Sequence, residues 1–362
     1  MPEGPVAPSP PVPEPPALVP RRSRDGSFSL YSAQFGEGFH CADGALAEAR
    51  RVFVAPAQLE RFAAGSRLRV VEVAVGTGTN TAALVQACQE RGLELDWWGL
   101  ELDARPLQLA LADDGFRRQW PAPVLAELEN LCSGERLLWG DGRARLSELP
   151  DRLAGRCELV LHDGFSPRHC PQLWSQEFLG DLAGLLAPRG RLLTYCSAAA
   201  VRRALGLAGL QLAAIRGSGP ALAQAAAEDR AMDRAAGPVQ AIWSAGTAAS
   251  PSALPPEAPL RPLTPMELEH LACRAGEPYR DPGRNATAAA ILERRQQQQR
   301  LSTAEPSGQW QRRWGLARRH GVPPQTDPDR KPAVPAAADP GPGGQGAGGL
   351  DLDGPEPADR AR

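Results

Sequence analysis

The run "LRVVEVAVGTGTN" (residues 68–80) decides the fold, because a short apolar strand passes directly into a glycine turn and the start of a helix. The helix continues through residues 79–92, where apolar positions recur with the helical period. The same alternation continues along the chain, with further strands predicted at residues 95–103, 136–141, 157–163 and 191–197. Strands and helices that alternate in this way connect through right-handed crossovers. The sequence therefore predicts an α/β fold with a doubly wound, mostly parallel sheet.

The sheet is expected to end in two further strands. A helix and a sixth strand are predicted within residues 201–215. The segment "VQAIWSAG" (239–246) is typical of a last strand, placed antiparallel at the edge. This would complete an α/β domain over residues 25–245.

The two ends of the chain differ in composition from its middle. Residues 1–24 are rich in proline, and residues 321–362 repeat Pro, Ala, Gly and Asp, so both are expected to be disordered. Residues 246–265 are predicted to be a linker, because six of these twenty residues are prolines. Residues 266–320 are predicted to form a helical basic extension in which two tryptophans, Trp310 and Trp314, stand among arginines.

Overall composition excludes several classes of protein. The formal net charge of the 362 residues is -2, which gives no global sign of nucleic-acid or membrane binding. No run approaches the roughly 20 apolar residues of a membrane span, and the start does not resemble a signal peptide, so a soluble cytoplasmic protein is expected. The seven cysteines include no Cys-x-x-Cys pair, which favours reduced, mostly buried thiols and disfavours a metal site or a cysteine nucleophile.

The glycine turn after the first strand indicates a ligand that approaches the backbone closely. Gly76 and Gly78 leave room for such an approach, and the following helix offers unpaired N–H groups. The third glycine of a dinucleotide-binding turn would fall at position 81, which is Thr81, so a dinucleotide is disfavoured. Glu72 is embedded between valines, so its charge must be paired or hydrogen-bonded. It could face the loop or a cationic ligand, or it could brace the loop without any contact to a ligand.

Carboxylates also close the next three strands. Glu101 and Asp103 end the second strand, where such folds bond ribose hydroxyls, Asp141 ends the third and Asp163 the fourth. Each could instead be a solvated turn residue, since aspartate is a good turn former. Acids at four successive strands, without a phosphate-binding lysine, suit a cationic, adenosine-bearing, phosphate-free ligand, and S-adenosylmethionine fits that description.

Three stretches carry a resemblance to a known family. "FHCADGALAEARRVFV" (39–54), "GTGTN" (76–80) and "LHDGFSPRHCPQLW" (161–174) make the chain resemble, over roughly residues 28–216, the methyltransferase half of the bifunctional tRNA 5-methylaminomethyl-2-thiouridine biosynthesis proteins. The resemblance implies a class I methyltransferase that uses S-adenosyl-L-methionine to methylate the aminomethyl group on the wobble uridine, in the anticodon region of tRNA.

The resemblance also assigns roles to individual residues. It implies that Asp163 is the active-site carboxylate. Residues implied to line the cofactor loop are Gly76, Gly78 and Asn80. Residues implied to border the substrate pocket are Asp43, Gly44 and Glu48.

The chain departs from the family pattern in four places. Ala74 stands where glycine is common, and His162 stands where an apolar residue usually precedes the aspartate. An alanine-rich segment at 217–240 replaces a stretch rich in glycine and lysine. No FAD-binding loop follows residue 245, so a stand-alone methyltransferase is expected.

Two other functions fit parts of the same pattern. An aminopropyltransferase or small-molecule N-methyltransferase would share the sheet, the nucleoside-binding acids and an aspartate that faces an amine. A non-enzymatic Rossmann-like binding module would share the sheet alone. The basic extension favours the tRNA enzyme, because arginines can contact phosphates and tryptophans can stack on bases.

Overall fold

The computed structural model describes residues 16–41, 44–217 and 244–316. Its strands, numbered along the chain, are β1 (Leu18–Arg22), β2 (Phe28–Ser32), β3 (Glu37–Gly38), β4 (Arg67–Val73), β5 (Glu94–Glu101), β6 (Leu137–Trp139), β7 (Cys157–His162), β8 (Leu186–Thr194), β9 (Gln211–Ile215), β10 (Gly246–Ser250) and β11 (Leu260–Arg261).

A sheet of eight of these strands, in the order β11-β9-β10-β8-β7-β4-β5-β6, forms the centre of the described structure. The run from β8 to β6 is parallel, β10 is antiparallel to both of its neighbours, and β11 is antiparallel to β9. The predicted α/β fold with a doubly wound, mostly parallel sheet is confirmed.

Helices cover both faces of the sheet. The α-helices are α1 (Ala45–Glu48), α2 (Ala55–Ala57), α3 (Thr79–Arg91), α4 (Arg105–Ala112), α5 (Asp114–Arg118), α6 (Ala122–Ser133), α7 (Gly142–Arg145), α8 (Gln176–Leu185), α9 (Ala199–Leu207), α10 (Pro265–Ala272), α11 (Ala288–Leu301) and α12 (Ser307–Arg313). A π-helical stretch, Ala49–Val54, joins α1 to α2. Short 3-10 turns occur at Leu59–Arg61, Leu146–Glu148, Asp151–Leu153, Pro171–Trp174 and Arg274–Gly276.

The apolar character of β4 follows from burial on both sides. Leu68 and Val70 belong to the core on one face of the sheet, and Val71 and Val73 belong to the core on the other. Alternate side chains of a strand point to opposite faces, so a strand covered on both faces must be apolar at nearly every position.

The order of the strands creates a crevice at the carboxyl end of β4. The chain runs from β4 to β5 on one side and later returns to place β7 on the other side. In the resulting register Val73 pairs with Leu100 of β5 and with His162 of β7. The loops after these three strands therefore meet at a topological switch point, where open α/β sheets bind their ligands.

The N-terminal region is more ordered than the sequence predicts. The prediction of disorder over residues 1–24 is wrong for β1, which pairs antiparallel with β2 in a three-stranded sheet with β3. Arg22 also forms an ion pair with Asp113, 2.7 Å between Nη2 and Oδ2. Residues 1–15 lie outside the described residues. Pairing with β2, the next strand along the chain, supplies the backbone hydrogen bonds that the proline-rich composition does not reveal.

The predicted linker at 246–265 contains two strands of the central sheet. β10 lies between β8 and β9 rather than at the edge, and all five of its residues are buried. A Cβ atom at Gly246 would lie 2.2 Å from the carbonyl oxygen of Thr194 in β8, so only glycine fits there. The linker interpretation fails because small residues suit this tightly packed strand, although in sequence they are typical of a loop. Residues 239–243 of the predicted edge strand lie outside the described residues.

The basic extension packs onto the α/β domain. Arg202 of α9 and Glu267 of α10 form an ion pair of 3.0 Å with side chains 3% and 2% exposed, which ties the two helices together. Residues 317–320 of the predicted extension and the tail 321–362 lie outside the described residues. Among the described helices, none is long and apolar enough to cross a membrane.

Candidate cofactor and active site

A cavity of about 450 Å³ lies at the switch point, between the ends of β4, β5 and β7 and the N-terminal hairpin. Its walls carry six carboxylates and two guanidinium groups. The carboxylates belong to Glu37, Glu48, Glu101, Asp103, Asp141 and Asp163. An excess of negative charge in a concave site favours a cationic ligand.

The two predicted glycines of the turn after β4 have different positions. Gly76 lines the cavity with φ of 59°, and its N–H donates to Oε2 of Glu101 at 2.8 Å. Gly78, with φ of 76°, is the N-cap of α3, and a Cβ atom there would lie 2.9 Å from Cδ1 of Leu107 and 3.3 Å from Leu128. A side chain at Gly78 would therefore face the core, and Gly78 is not among the residues that line the cavity. Glycine is needed there because the backbone is left-handed and the helices are close.

Of the two roles predicted for Glu72, the structure fits that of a brace, since Glu72 does not line the cavity. The side chain is fully buried, and Oε2 accepts from Oγ1 of Thr81 and from Nε1 of Trp97, both at 2.8 Å. Burial raises the pKa of Glu72 to about 7, while these hydrogen bonds oppose the rise. Glu72 thus links β4 to α3 and β5, because its side chain points from β4 into the core on one face of the sheet.

Glu101 and Asp103 both line the cavity at the end of β5. The two oxygens of Glu101 accept from the backbone N–H groups of Gly76 and Asp103, at 2.8 and 3.0 Å. Burial raises the pKa of Glu101. The guanidinium of Arg105 lies 2.5 Å from Asp103, and this hydrogen bond lowers the pKa of Asp103. The structure brings the two predicted ribose ligands together and ties Glu101 directly to the glycine turn.

Asp141 lines the cavity and also has a turn role. Its Oδ1 accepts from the N–H of Arg143 at 2.9 Å and caps α7. The guanidinium of Arg143 bridges Asp141 and Asp281, at 2.6 Å from each carboxylate. The turn role of Asp141 is thus observed, and its carboxylate also lines the cavity, so its role toward a ligand stays a prediction.

Asp163 lies at the end of β7 and points into the same cavity. Its Oδ2 accepts from Nδ2 of Asn80 at 2.7 Å, and its backbone N–H donates to the carbonyl of Val73 at 3.1 Å. Burial and the nearby charge of Glu48 raise the pKa of Asp163 well above its usual range, while the Asn80 hydrogen bond opposes the rise. The hydroxyl of Tyr195 donates to the carbonyl of Gly164 at 2.9 Å and supports the turn.

The remaining predicted residues fall in three different positions. Asn80 is 4% exposed and donates a hydrogen bond to Asp163. It therefore lies behind the cavity lining and not in the part of the loop that lines the cavity. Glu48 lines the cavity, and its Oε2 accepts from the N–H of Cys41 at 3.0 Å. Gly44 instead faces the side chain of Asp25, where an added Cβ would collide, so its predicted place at the pocket border is not observed. Asp43 lies outside the described residues.

Several cavity residues were missed by sequence reasoning because they belong to the N-terminal hairpin. Oε2 of Glu37 accepts from the N–H of Ser166 at 2.9 Å. The ring of Phe35 stacks on Phe165 with centroids 4.5 Å apart. His40 also lines the cavity, and burial lowers its pKa to about 4, so it is neutral near pH 7. The alternation in "FSLYS" (28–32) was the available signal for a strand in this region.

Neither His162 nor Ala74 disrupts the site. Nε2 of His162 donates to the carbonyl of Leu173 at 2.8 Å, and the ring stacks on Trp174 at 4.0 Å. Burial lowers the pKa of His162 to about 4, which keeps it a neutral core residue. Ala74 adopts φ of 61°, the left-handed conformation that glycine would adopt more easily.

The predicted base-stacking role of Trp310 is wrong. Trp310 is 1% exposed and stacks on His270, with centroids 4.1 Å apart. Trp314 donates from Nε1 to Glu269 at 2.8 Å. These contacts build the small core of the extension, because α10 and α12 have few other apolar side chains to bury.

Comparison with known proteins agrees with this geometry. Residues 113–222 match the family described as S-adenosyl-L-methionine-dependent methyltransferase. Over 206 residues the chain is 34% identical to the tRNA 5-methylaminomethyl-2-thiouridine biosynthesis bifunctional protein MnmC of Pseudomonas paraeruginosa, covering 52% of this chain and 32% of that protein. The MnmC of Azoarcus sp. is 33% identical over 212 residues, with the same coverage. The chain thus spans about a third of the length of the curated relatives it matches.

A solved structure shares the fold over most of the chain. The crystal structure of MNMC2 from Aquifex aeolicus superimposes with a TM-score of 0.61 and 23% identity, covering 80% of this chain and 86% of that one. At this identity the likeness concerns the fold.

The residues of the cavity fit S-adenosylmethionine, the cofactor of the matched family. The acids Glu101 and Asp103 suit ribose hydroxyls, and the excess of carboxylates suits a sulfonium cation and disfavours a phosphate-bearing ligand. Both guanidinium groups that reach the cavity are paired with its own acids. The chain therefore has the fold of class I S-adenosylmethionine-dependent methyltransferases, and over about half of its length it is similar to the MnmC proteins.

Proposed function

We propose that the protein methylates the 5-aminomethyl group of the modified wobble uridine in tRNA, with S-adenosylmethionine as methyl donor. The observation that carries the proposal is the carboxylate of Asp163, held by Asn80 at the switch point, inside a cavity with an excess of negative charge. The similarity to the MnmC proteins supports the tRNA substrate.

The cavity is suited to an alkylammonium group. Glu37, Glu48 and Asp163 all line it, and a cation placed among them offsets the repulsion between their charges. Phe165, backed by Phe35, adds an apolar wall next to Asp163 on which a planar base can rest. The amine and the base would thus be held by different walls of one site.

The reaction requires a neutral amine. When bound, S-adenosylmethionine supplies an electrophilic methyl group. An amine with a pKa near 10.4 loses its proton at pH 7 at a cost of about 4.6 kcal/mol, and a neighbouring cation lowers that cost. Attack by the nitrogen lone pair would form the N–C bond while the S–C bond breaks and the thioether leaves. The dialkylammonium so formed carries two hydrogens and would release one proton to give the secondary amine.

Asp163 has a positioning and electrostatic role in this scheme. Its carboxylate accepts an N–H hydrogen bond from the amine, which aims the lone pair, and then stabilises the positive charge that develops on nitrogen. Because burial and Glu48 raise its pKa, Asp163 also accepts a proton more readily than an exposed aspartate. Asn80 keeps the carboxylate in place through its 2.7 Å hydrogen bond.

The test uses tRNA from cells in which the aminomethyl-uridine intermediate accumulates. Purified protein with S-adenosylmethionine should add one methyl group to that nucleoside, as read by mass spectrometry of the digested tRNA. Mature tRNA, whose wobble position is already modified, is the matched control. Transfer to free polyamines but not to tRNA would favour a small-molecule N-methyltransferase or an aminopropyltransferase, and failure to bind S-adenosylmethionine would favour a binding module without activity.

A further inference from the structure

A second cavity, of about 490 Å³, lies at the opposite edge of the central sheet, where β4 and β5 begin. Its lining contains five arginines, two carboxylates and Leu95. Along β4 this edge lies about 20 Å from the switch point, at 3.3 Å per residue. The two cavities have no lining residue in common and lie at opposite ends of β4, so they are separate sites.

Two arginines are held side by side in this second cavity. Nη1 of Arg136 lies 3.3 Å from Oδ1 of Asp96, and Nη1 of Arg152 lies 2.7 Å from Oδ2. The carboxylate of Asp96 is 8% exposed, whereas both arginine side chains are 46% exposed. A buried carboxylate therefore gathers two guanidinium groups whose remaining N–H donors are open to solvent.

Trp98 forms the support beneath this pair. Its ring centroid is 6.0 Å from the guanidinium carbon of Arg136 and 5.8 Å from that of Arg152. At such distances a guanidinium group is attracted to the face of the ring. The two guanidinium groups are thus fixed in advance, which lowers the entropy lost when a ligand binds.

Arg156 contributes a positive charge that is not neutralised. It is exposed just before β7, and within the described ranges it makes no ion pair. Arg69, by contrast, is paired with Glu158 at 3.3 Å. The cavity therefore keeps a net positive charge after its internal ion pairs are counted.

We propose that this second cavity binds a phosphate or diphosphate group. Paired guanidinium groups match the tetrahedral oxygens of phosphate through bidentate, charge-assisted hydrogen bonds. The group could belong to a phosphorylated small molecule or to the backbone of a nucleic acid, and both present the same oxygens to Arg136, Arg152 and Arg156. The proposal is independent of the methyltransferase reaction at the other edge.

The experiment is a calorimetric titration of the full chain with inorganic pyrophosphate at low ionic strength. Arg156→Gln removes the unpaired charge without breaking an ion pair, and Arg136→Gln combined with Arg152→Gln removes the fixed pair. We expect the single variant to bind several-fold more weakly and the double variant at least tenfold more weakly than the wild type, about 1.4 kcal/mol or more. The matched control is Arg117→Gln, an exposed arginine paired with Glu129 outside the cavity, which should bind like the wild type.

Thermal denaturation confirms that each variant is folded. If loss of both partners of Asp96 destabilises the chain, Arg156→Gln still tests the proposal.

The proposal is overturned if the wild type does not bind pyrophosphate at concentrations up to about 10 mM, beyond which binding is too weak to be specific. It is also overturned if the wild type and Arg156→Gln bind pyrophosphate equally. Competition with tRNA identifies the source. If tRNA displaces pyrophosphate and the variants lose tRNA affinity, the ligand is a nucleic-acid backbone. If tRNA has no effect, it is a small phosphorylated molecule.

Discussion

The side-chain amide of Asn80 donates a 2.7 Å hydrogen bond to the carboxylate of Asp163, and so joins the first turn of α3 to the end of β7. The two residues are 83 positions apart in the chain. This hydrogen bond crosses the switch point of the sheet and fixes the orientation of the Asp163 carboxylate in the cavity.

Replacement of Asp163 should abolish most turnover. Removing a group that aims the amine and stabilises its charge typically costs ~10² to 10⁴ in rate. We expect Asp163→Ala to show this loss and Asp163→Asn to show somewhat less, because the amide keeps the shape and one acceptor. Calorimetry should show nearly unchanged affinity for S-adenosylmethionine. Near-normal turnover by folded Asp163→Ala would show that this aspartate is only a turn residue.

Asn80→Ala should shift the pH dependence of the reaction. The Asn80 hydrogen bond lowers the pKa of Asp163, so its loss raises that pKa further. Activity that needs the ionised carboxylate falls as pH drops through this pKa, and the acidic limb of the kcat/KM profile should therefore move to higher pH. A rate loss with an unchanged profile would indicate that Asn80 acts through packing alone.

Glu72→Gln should change stability in a pH-dependent way. Burial raises the pKa of Glu72 from 4.5 to about 7, so the folded state binds its proton more tightly than the unfolded state does. Between these two pKa values the wild type loses stability as pH rises. The uncharged variant lacks this loss, so its melting temperature relative to the wild type should increase from pH 4.5 to pH 7, with a free-energy change on the order of 3 kcal/mol at 1.36 per unit. A difference in melting temperature between variant and wild type that does not change with pH would contradict a raised pKa for Glu72.

Gly76→Ala and Gly78→Ala should separate cofactor binding from folding. Both glycines have positive φ, so each alanine introduces similar backbone strain, about 1 kcal/mol. At Gly78 the added methyl also lies 2.9 Å from Leu107 in the core, so this variant should lose more stability. At Gly76 the methyl lies in the cavity wall, 3.2 Å from Phe39, so this variant should lose more cofactor affinity. Melting curves and calorimetry on both proteins measure the two effects, and the reverse order would refute this assignment.

The extension should contact tRNA through exposed arginines rather than through Trp310. Arg294 and Arg295 donate to the carbonyls of Arg280 and Glu277, whereas Arg300 and Arg312 are exposed. Arg300→Gln with Arg312→Gln should flatten the salt dependence of tRNA binding by ~0.7 to 0.9 of a log-log unit per lost contact.

Trp310→Phe is the matched control in the same titration. It should lower the melting temperature, because Trp310 is buried, and leave tRNA affinity unchanged. A salt slope identical to that of the wild type in the double arginine variant would exclude the extension from the tRNA interface.

The sequence by itself determined the framework of the site. The periodicity of residues 68–92 is a local property, and it correctly predicted β4, the glycine turn and α3. Because parallel strands end at one edge of a sheet, the positions of Glu101 and Asp163 at strand ends were enough to predict that they meet in one cavity.

Only the tertiary structure decided which way the side chains face and which distant segments complete the site. Glu72 and Gly78 belong to the predicted motif, but they point into the core because neighbouring helices pack on that side. Glu37 reaches the loop after Asp163 through a hairpin that precedes the sheet by dozens of residues, and β10 enters the sheet between two strands rather than at its edge. The physical reason is that local propensity sets periodicity and turns, whereas burial, partner choice and charge pairing depend on contacts between residues far apart in the chain.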